Sequence, residues 1–187
     1  MSDTAAAVSV PPATTGDSAD PACDVAHGRA EAQASTKTLV AVFASPVARF
    51  LLNYAKDAGY RPVLLDPGAG HDDGPGPDGL TTAASLAGLA DEGTDIVVCD
   101  HHRPELGPVL RDALASPARW VGVLGNPRHP APHIPALTAL GVPDDQIARV
   151  HRPIGLNIGS RTPAEIALAT MAGLIADRNG RPGGFHF

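Results

Sequence analysis

The sequence predicts an α/β protein with a Rossmann-like fold, in which an open, mostly parallel sheet carries helices on both faces. Three observations lead to this prediction. Short apolar runs of strand length alternate with segments whose apolar residues recur at helical spacing. Capping residues or glycines separate the two kinds of segment. The chain has 187 residues, and this length suits one domain with a single hydrophobic core.

The first half of the predicted sheet begins with the outline of a dinucleotide-binding βαβ unit. Residues 38–43 are an apolar run of strand length, and Ser45 caps the helix that follows. Residues 61–66 form a second strand that ends in an acid, Asp66. Folds of this class place a ribose-binding carboxylate at the position of Asp66.

The alternation of helix and strand continues along the rest of the chain. We expect a solvated Gly/Pro/Asp-rich loop over residues 68–79 and a weak, alanine-rich helix over residues 81–89. The further expected elements are strands at 95–99, 119–125 and 150–152, helices at 109–115, 134–140 and 163–179, and a turn at 143–147.

The last helix has the strongest start signal in the sequence. Thr162 is an N-cap, Pro163 occupies the first helical position, and Glu165 completes a capping box. Gly155 and Gly159 precede the cap, so the backbone there can turn sharply or approach a ligand closely. Free amides beside such a turn form an anion site. The alternative is that Glu165 only caps and the glycines only permit a tight loop.

Five loops are expected at the carboxyl edge of the sheet, where open α/β sheets bind their ligands. The loop after the fourth strand contains Gly125 and Arg128, and a guanidinium beside a glycine suits phosphate because it makes bidentate contacts. The alternative for Arg128 is an ordinary surface arginine. The five predicted loops lie at Ser45, Asp66, His101, Asn126 and Asn157.

Asp100-His101-His102, directly after the third strand, supports a competing prediction. A strand that delivers these residues resembles the metal-binding signature of the DHH phosphoesterases, which hold Mn²⁺ and activate water. That chemistry also needs an Asp-x-Asp motif at the end of an earlier strand, and the sequence has none. His101 is therefore either a residue that lines a pocket or a structural histidine.

Composition excludes several classes of function. The net charge is −6 and no basic stripe is present, which argues against nucleic acid as a partner. No apolar run reaches the roughly 18 residues that cross a bilayer, and the N-terminus lacks the pattern of a signal peptide. Cys23 and Cys99 are too few for a disulfide framework. We expect a cytoplasmic protein with a disordered arm at residues 1–36 and a frayed tail at 181–187.

The run PIGLNIGSRTPAEIA, from Pro153 to Ala167, resembles the C-terminal domain of the XdhC/CoxI family. These proteins are accessory factors for molybdenum hydroxylases such as xanthine dehydrogenase. The family's run is Pro-Ile-Gly-Leu-Asp-Ile-Gly…Thr-Pro-Glu-Glu-Ile-Ala, so this chain departs from it at Asn157 and Ala164. The resemblance covers roughly residues 39–178 and implies a Rossmann-like domain over residues 37–180.

The family's first loop carries Gly-Ala-Gly, where this chain has Phe43-Ala44-Ser45. The two absent glycines form the tight turn and let a pyrophosphate reach the backbone, so their loss argues against ordinary NAD(P) binding. His101 matches the histidine of the family's Thr-His-Asp loop. The resemblance and the loop positions together give these candidate cofactor-binding residues: Ala44, Ser45, Asp66, His101, Gly125, Asn126, Arg128, Gly155, Asn157 and Glu165.

The resemblance implies an accessory factor that holds molybdenum cofactor for maturation and insertion. Its expected partners are the subunits of a hydroxylase of the xanthine or CO dehydrogenase type and a cysteine desulfurase, and a homodimer is compatible with the sequence. Such work requires binding rather than turnover, so we assign no catalytic or metal-binding residue. The family's N-terminal domain, with its Cys-Gly-Gly-Arg motif, is not found, and we expect a stand-alone second domain. The phosphoesterase remains an alternative, as does a Rossmann-like interaction scaffold without a ligand.

Overall fold

A computed structural model describes residues 21–28, 37–68, 74–75 and 80–184. The chain divides into two units, residues 1–34 and 35–187. In the first unit the structure describes one short helix, α1 (Pro21–Ala26), which the sequence analysis does not predict. The rest of the predicted disordered arm, like the tail residues 185–187, lies outside the described residues.

The second unit confirms the predicted Rossmann-like sheet. Its strands are β1 (Thr38–Val42), β2 (Arg61–Leu65), β3 (Gly74–Pro75), β4 (Thr81–Ala83), β5 (Thr94–Val98), β6 (Trp120–Val123) and β7 (Val150–His151). They lie in the order β3-β4-β2-β1-β5-β6-β7. All neighbouring pairs are parallel except β3 and β4. The six parallel strands have the Rossmann order, whose direction of winding reverses between β1 and β5.

Helices cover both faces of the sheet: α2 (Pro46–Asp57), α3 (Leu106–Ala115), α4 (His133–Ala139), α5 (Asp144–Ile147) and α6 (Pro163–Arg178). In β1, Leu39 and Ala41 pack with α2 and α6, whereas Val40 and Val42 pack on the side of α3 and α4. Successive side chains of a strand point to opposite faces, so a strand with helices on both sides must be apolar throughout. All five residues of β1 are indeed buried.

The predicted helix over residues 81–89 is wrong. Residues 81–83 form β4, which pairs in parallel with residues 63–65 of β2, and residues 84–89 contain no helix. The alanines favoured a helix locally, but the outer edge of β2 offers unpaired backbone groups that a short strand can satisfy. Tertiary pairing of this kind overrides local propensity. The other predicted helices and strands are present, with their ends shifted by a few residues.

Candidate functional site

The carboxyl ends of the parallel strands form one edge of the sheet, which we call the rim. The five predicted loops follow β1, β2, β5, β6 and β7 there, and the helices α2 and α6 begin on the same side. The direction of the parallel strands fixes this arrangement, because every helix must return the chain to the opposite edge. The rim loops cover residues 43–45, 66–68, 99–105, 124–132 and 152–162.

At the first two loops, the predicted ribose-binding carboxylate is engaged by the protein itself. The Ala44 amide donates to Oδ2 of Asp66 over 3.1 Å, and Nη2 of Arg103 lies 3.4 Å from Oδ1. Arg103 also pairs with Glu105, and its guanidinium lies 5.1 Å from the centroid of the Phe43 ring. Arg103 therefore closes over the first loop. Sequence reasoning missed this residue, because only the fold brings it to Asp66.

Phe43 occupies the position of the missing first glycine and keeps the backbone conformation that a glycine would favour. Its φ is +69°, and its ring is fully buried in the core rather than in the rim. The Phe43 amide donates to the Leu65 carbonyl over 2.8 Å, which fixes the turn beside β2. Ser45, the next candidate, caps α2 by accepting from the Ala48 amide over 3.1 Å.

The loop after β5 carries Asp100, His101 and His102, which do not form a metal-binding group with other described residues. Oδ1 of Asp100 accepts a hydrogen bond from the His102 amide over 2.9 Å. The ring centroids of His101 and His102 lie 4.2 Å apart. Burial, followed by the neighbouring His102, lowers the pKa of His101, so the ring is neutral at pH 7. Within the described residues, no group of three or more His, Cys, Asp or Glu side chains could hold a metal ion. The geometry thus gives the phosphoesterase no support.

The loop after β6 presents an arginine, Arg128, that has no acidic partner among the described residues. Oδ1 of Asn126 accepts from the Arg128 amide over 2.9 Å, so the asparagine shapes the turn. The Arg128 side chain is exposed and forms no salt bridge with any residue that the structure describes. Such a guanidinium retains its full capacity to bind an anion.

A second arginine, Arg152 at the end of β7, holds this loop in place. Its Nη2 donates to the carbonyls of Asn126 at 3.0 Å and Pro130 at 3.1 Å. A Cβ atom at Gly125 would lie 2.6 Å from Nε of Arg152, so only glycine lets the guanidinium approach this closely. The sequence analysis missed Arg152 because its partners lie more than twenty residues away along the chain. Gly125 is the one signal that pointed to this contact.

The last candidate loop packs on α6. Gly155 has φ +86°, and a Cβ atom there would lie 3.0 Å from the Thr170 amide nitrogen. Gly173 meets the same loop, since its Cβ would lie 3.0 Å from the Gly155 Cα. The glycine pair therefore permits a close approach between backbone segments of the protein itself. Asn157 is exposed on this loop.

Glu165 functions as the capping residue of α6. Its Oε2 accepts from the amides of Arg161 at 2.6 Å and Thr162 at 3.1 Å, and Thr162 Oγ1 accepts from the Glu165 amide. These hydrogen bonds lower the pKa of Glu165. The structure thus supports the capping alternative. Among the described residues, no hydrogen bond or salt bridge joins Glu165 to the other candidate side chains.

The strand order defines a Rossmann-type α/β domain. A family model described as the XdhC Rossmann domain matches residues 39–174, which is most of the chain. The chain therefore belongs to the XdhC family, as the Pro153–Ala167 run predicts.

Two known proteins illustrate the relationship. The chain is 30% identical to the uncharacterized protein YqeB of Escherichia coli K12 over 166 aligned residues, which cover 67% of this chain and 29% of YqeB. A solved structure from Bacillus halodurans, described as a xanthine dehydrogenase, has a TM-score of 0.61 at 22% identity. That match covers 78% of this chain and 44% of the other. The chain thus spans less than half the length of either relative.

Proposed function

We propose that this chain is an accessory factor for a molybdenum hydroxylase of the xanthine or CO dehydrogenase type, and that it binds molybdenum cofactor for maturation and insertion. Membership of the XdhC family supports this proposal. The description of the B. halodurans relative as a xanthine dehydrogenase points to the same enzyme class. The expected partners are hydroxylase subunits and a cysteine desulfurase.

None of the described helices is long and apolar enough to cross a membrane.

The observation that carries the proposal is the exposed guanidinium of Arg128 on a loop that Arg152 fixes in place. The phosphate group of the cofactor fits this arrangement, because an arginine without an acidic partner can donate two parallel hydrogen bonds to it. His101 lies in the loop after the adjacent strand β5, and its neutral ring would flank the pterin. When bound, the cofactor supplies redox chemistry to the client enzyme, whereas this chain binds and shields it.

The first two rim loops favour a pterin phosphate over NAD(P). In dinucleotide-binding folds the first loop contacts the pyrophosphate, and the acid after the second strand binds the ribose. Here the Ala44 amide and Asp66 bond to each other, and Arg103 pairs with the same carboxylate. A dinucleotide would have to break both contacts. A ligand held from the β5 and β6 loops leaves them intact.

The proposal is tested by titrating the purified chain anaerobically with molybdenum cofactor released from a purified hydroxylase. We expect saturable binding that weakens at least about tenfold in Arg128→Ala, because a charge-assisted hydrogen bond contributes about 1.5–3 kcal/mol. Arg111→Ala is the matched control, since Arg111 is exposed and already pairs with Asp112 over 2.9 Å. Absence of saturable binding, or equal loss in both variants, would refute the cofactor site.

The interaction scaffold remains the second candidate, because one observation favours it. Ile158, Leu168 and Ile175 are large apolar side chains that are 53%, 53% and 38% exposed, and two of them lie on α6. A scaffold would bind a hydroxylase subunit without cofactor. Co-purification of the apo chain with such a subunit, together with no cofactor binding in the titration above, would select the scaffold.

A further inference from the structure

A cavity of about 410 Å³ lies beside β7 and borders the rim loops, from which Ala131 and Arg152 contribute to its lining. Its apolar wall comes from Ile134 on α4, Ile147 on α5 and Val150 on β7, and its polar lining comes from His133, Asp144 and Arg152. The volume falls in the range of small-ligand sites, and a mostly apolar lining with a few polar groups is typical of them. Neither Arg128 nor His101 lines this cavity.

Two residues that line this cavity each carry a buried polar atom without a hydrogen-bond partner among the described residues. His133 is only 5% exposed, and its Nδ1 accepts or donates no hydrogen bond within the described residues. Nε of Arg152 is also buried and has no hydrogen-bond partner among the described residues. Arg152 also forms no salt bridge with a described carboxylate, although its Nη2 is used by the rim loop. Buried polar atoms are nearly always paired, so the unpaired Nδ1 of His133 points to a missing partner.

We propose that this cavity binds a small carboxylate with an apolar body. The carboxylate would accept from Arg152 and from the ring of His133, and the apolar body would pack on Ile134, Ile147 and Val150. Asp144 lines the same cavity, so it repels a dianion such as phosphate more strongly than it repels a monocarboxylate. Burial and the charge of Arg152 lower the pKa of His133, which favours a neutral imidazole with an N–H to donate.

The site is distinguishable from the proposed cofactor site by its residues. Arg152 serves both, because it supports the rim loop and lines the cavity. His133 lines only the cavity, and Arg128 belongs only to the rim. Substitutions at His133 and Arg128 therefore report on the two sites independently. A negative result for carboxylate binding would not count against the proposed cofactor site. A negative result for cofactor binding would not count against the carboxylate site.

The test uses benzoate as the probe in calorimetric titrations of the full chain. We expect saturable binding of benzoate, weaker by at least about tenfold in His133→Phe, because that ring fills the same space without a polar atom. A phenyl group in place of an unpartnered imidazole removes a desolvation cost, so the variant should fold. Arg128→Gln is the control and should bind benzoate like the wild type.

A second variant keeps the test independent of folding at His133. Ala148 also lines the cavity and is exposed, so Ala148→Phe should obstruct the site without disturbing the core and should abolish benzoate binding. Neutral benzamide should bind at least about tenfold more weakly than benzoate, since it lacks the charge that Arg152 requires. No saturation at about 20 mM benzoate, where a ligand with a Kd of about 1 mM would nearly saturate, would overturn the proposal. Binding of inorganic phosphate as strong as that of benzoate, or unchanged benzoate binding in both cavity variants, would also overturn it.

Discussion

Two arginines at the rim have opposite consequences for ligand binding. Arg103 pairs with Asp66 and lies over the Phe43 ring, so it uses the groups with which a dinucleotide would interact. Arg152 donates to backbone carbonyls of the next loop and leaves Arg128 free to bind an anion. A guanidinium can act in either way because its donors point in fixed, separate directions. The available part of the rim is therefore the part around β5 and β6.

Phe43 provides a test of strain at a single residue. Phe43→Ala should lower the free energy of unfolding by about 3–5 kcal/mol through loss of the buried ring. Phe43→Gly should lower it by about 1 kcal/mol less, because glycine adopts φ +69° without strain. This order is the reverse of the usual preference for alanine over glycine. Urea denaturation of both variants checks it, and a more stable alanine variant would contradict strain at this position.

Substitutions at Gly155 and Gly159 distinguish the cost of a close contact from the cost of backbone strain. Gly155→Ala should destabilise the protein by about 2–4 kcal/mol, since its Cβ would lie 3.0–3.1 Å from backbone atoms of α6. Gly159→Ala has the same kind of φ, +70°, but open space around the Cβ, so it should cost only about 1 kcal/mol. Denaturant unfolding measures both losses. Equal losses of stability would show that the close packing of the loop on α6 adds nothing to the cost of Gly155→Ala.

At the scale of one element, α6 shows how a local signal serves the whole fold. Its capping box satisfies backbone amides that would otherwise lack partners. The helix then packs against α2 and the sheet through Ala167, Met171 and Leu174. The first turn fixes where the helix begins, and the close approach at Gly155 fixes its distance from the preceding loop. Both are needed to place this helix beside the rim.

The capping box predicts a pH dependence of stability. Hydrogen bonds from Arg161 and Thr162 lower the pKa of Glu165 below its ordinary value of 4.5. The contribution of Glu165 is therefore fully present above pH 4.5 and is lost as the pH falls through its lower folded value. When the pH is lowered from 6 to about 3, the free energy of unfolding should fall less in Glu165→Gln than in the wild type. Urea midpoints at both pH values test this, and parallel losses in the two proteins would contradict it.

At the scale of the whole molecule, one buried carboxylate joins distant parts of the chain. Asp95, at the start of β5, is fully buried and pairs with Arg119 at 2.7 Å and with Arg178, at the end of α6, at 2.9 Å. Arg178 also donates to the Gly93 carbonyl and lies over the Tyr60 ring. The cluster lies at the edge of the sheet opposite the rim. It anchors the C-terminal end of α6, and the capping box lies at the N-terminal end of the same helix.

Loss of this carboxylate should destabilise the entire fold. Asp95→Asn should lower the free energy of unfolding by about 3 kcal/mol or more, because two arginines lose their common counter-ion. Asp112→Asn, in an exposed pair with Arg111, should change it by no more than about 0.5 kcal/mol. Thermal and urea unfolding measure both. A small effect at Asp95 would show that the arginines reach water when the pair is broken.

Much of the architecture could be predicted because it follows from local patterns. The apolar run of β1, the cap at Ser45 and the capping box at Thr162 all depend on near neighbours in sequence. The wrong helix at residues 81–89 shows the limit of this reasoning. Its conformation depends on pairing with β2, whose unpaired edge no local pattern reveals.

By itself, the sequence determined the alternation of strands and helices, the rim where their loops meet, and the family to which the chain belongs. Only the tertiary structure decided which candidate side chains remain available. Asp66, Glu165 and Gly155 are engaged within the protein, whereas Arg128 is left without an acidic partner among the described residues. The physical reason is that periodicity and capping act over a few residues, while Arg103 and Arg152 find their partners across the fold.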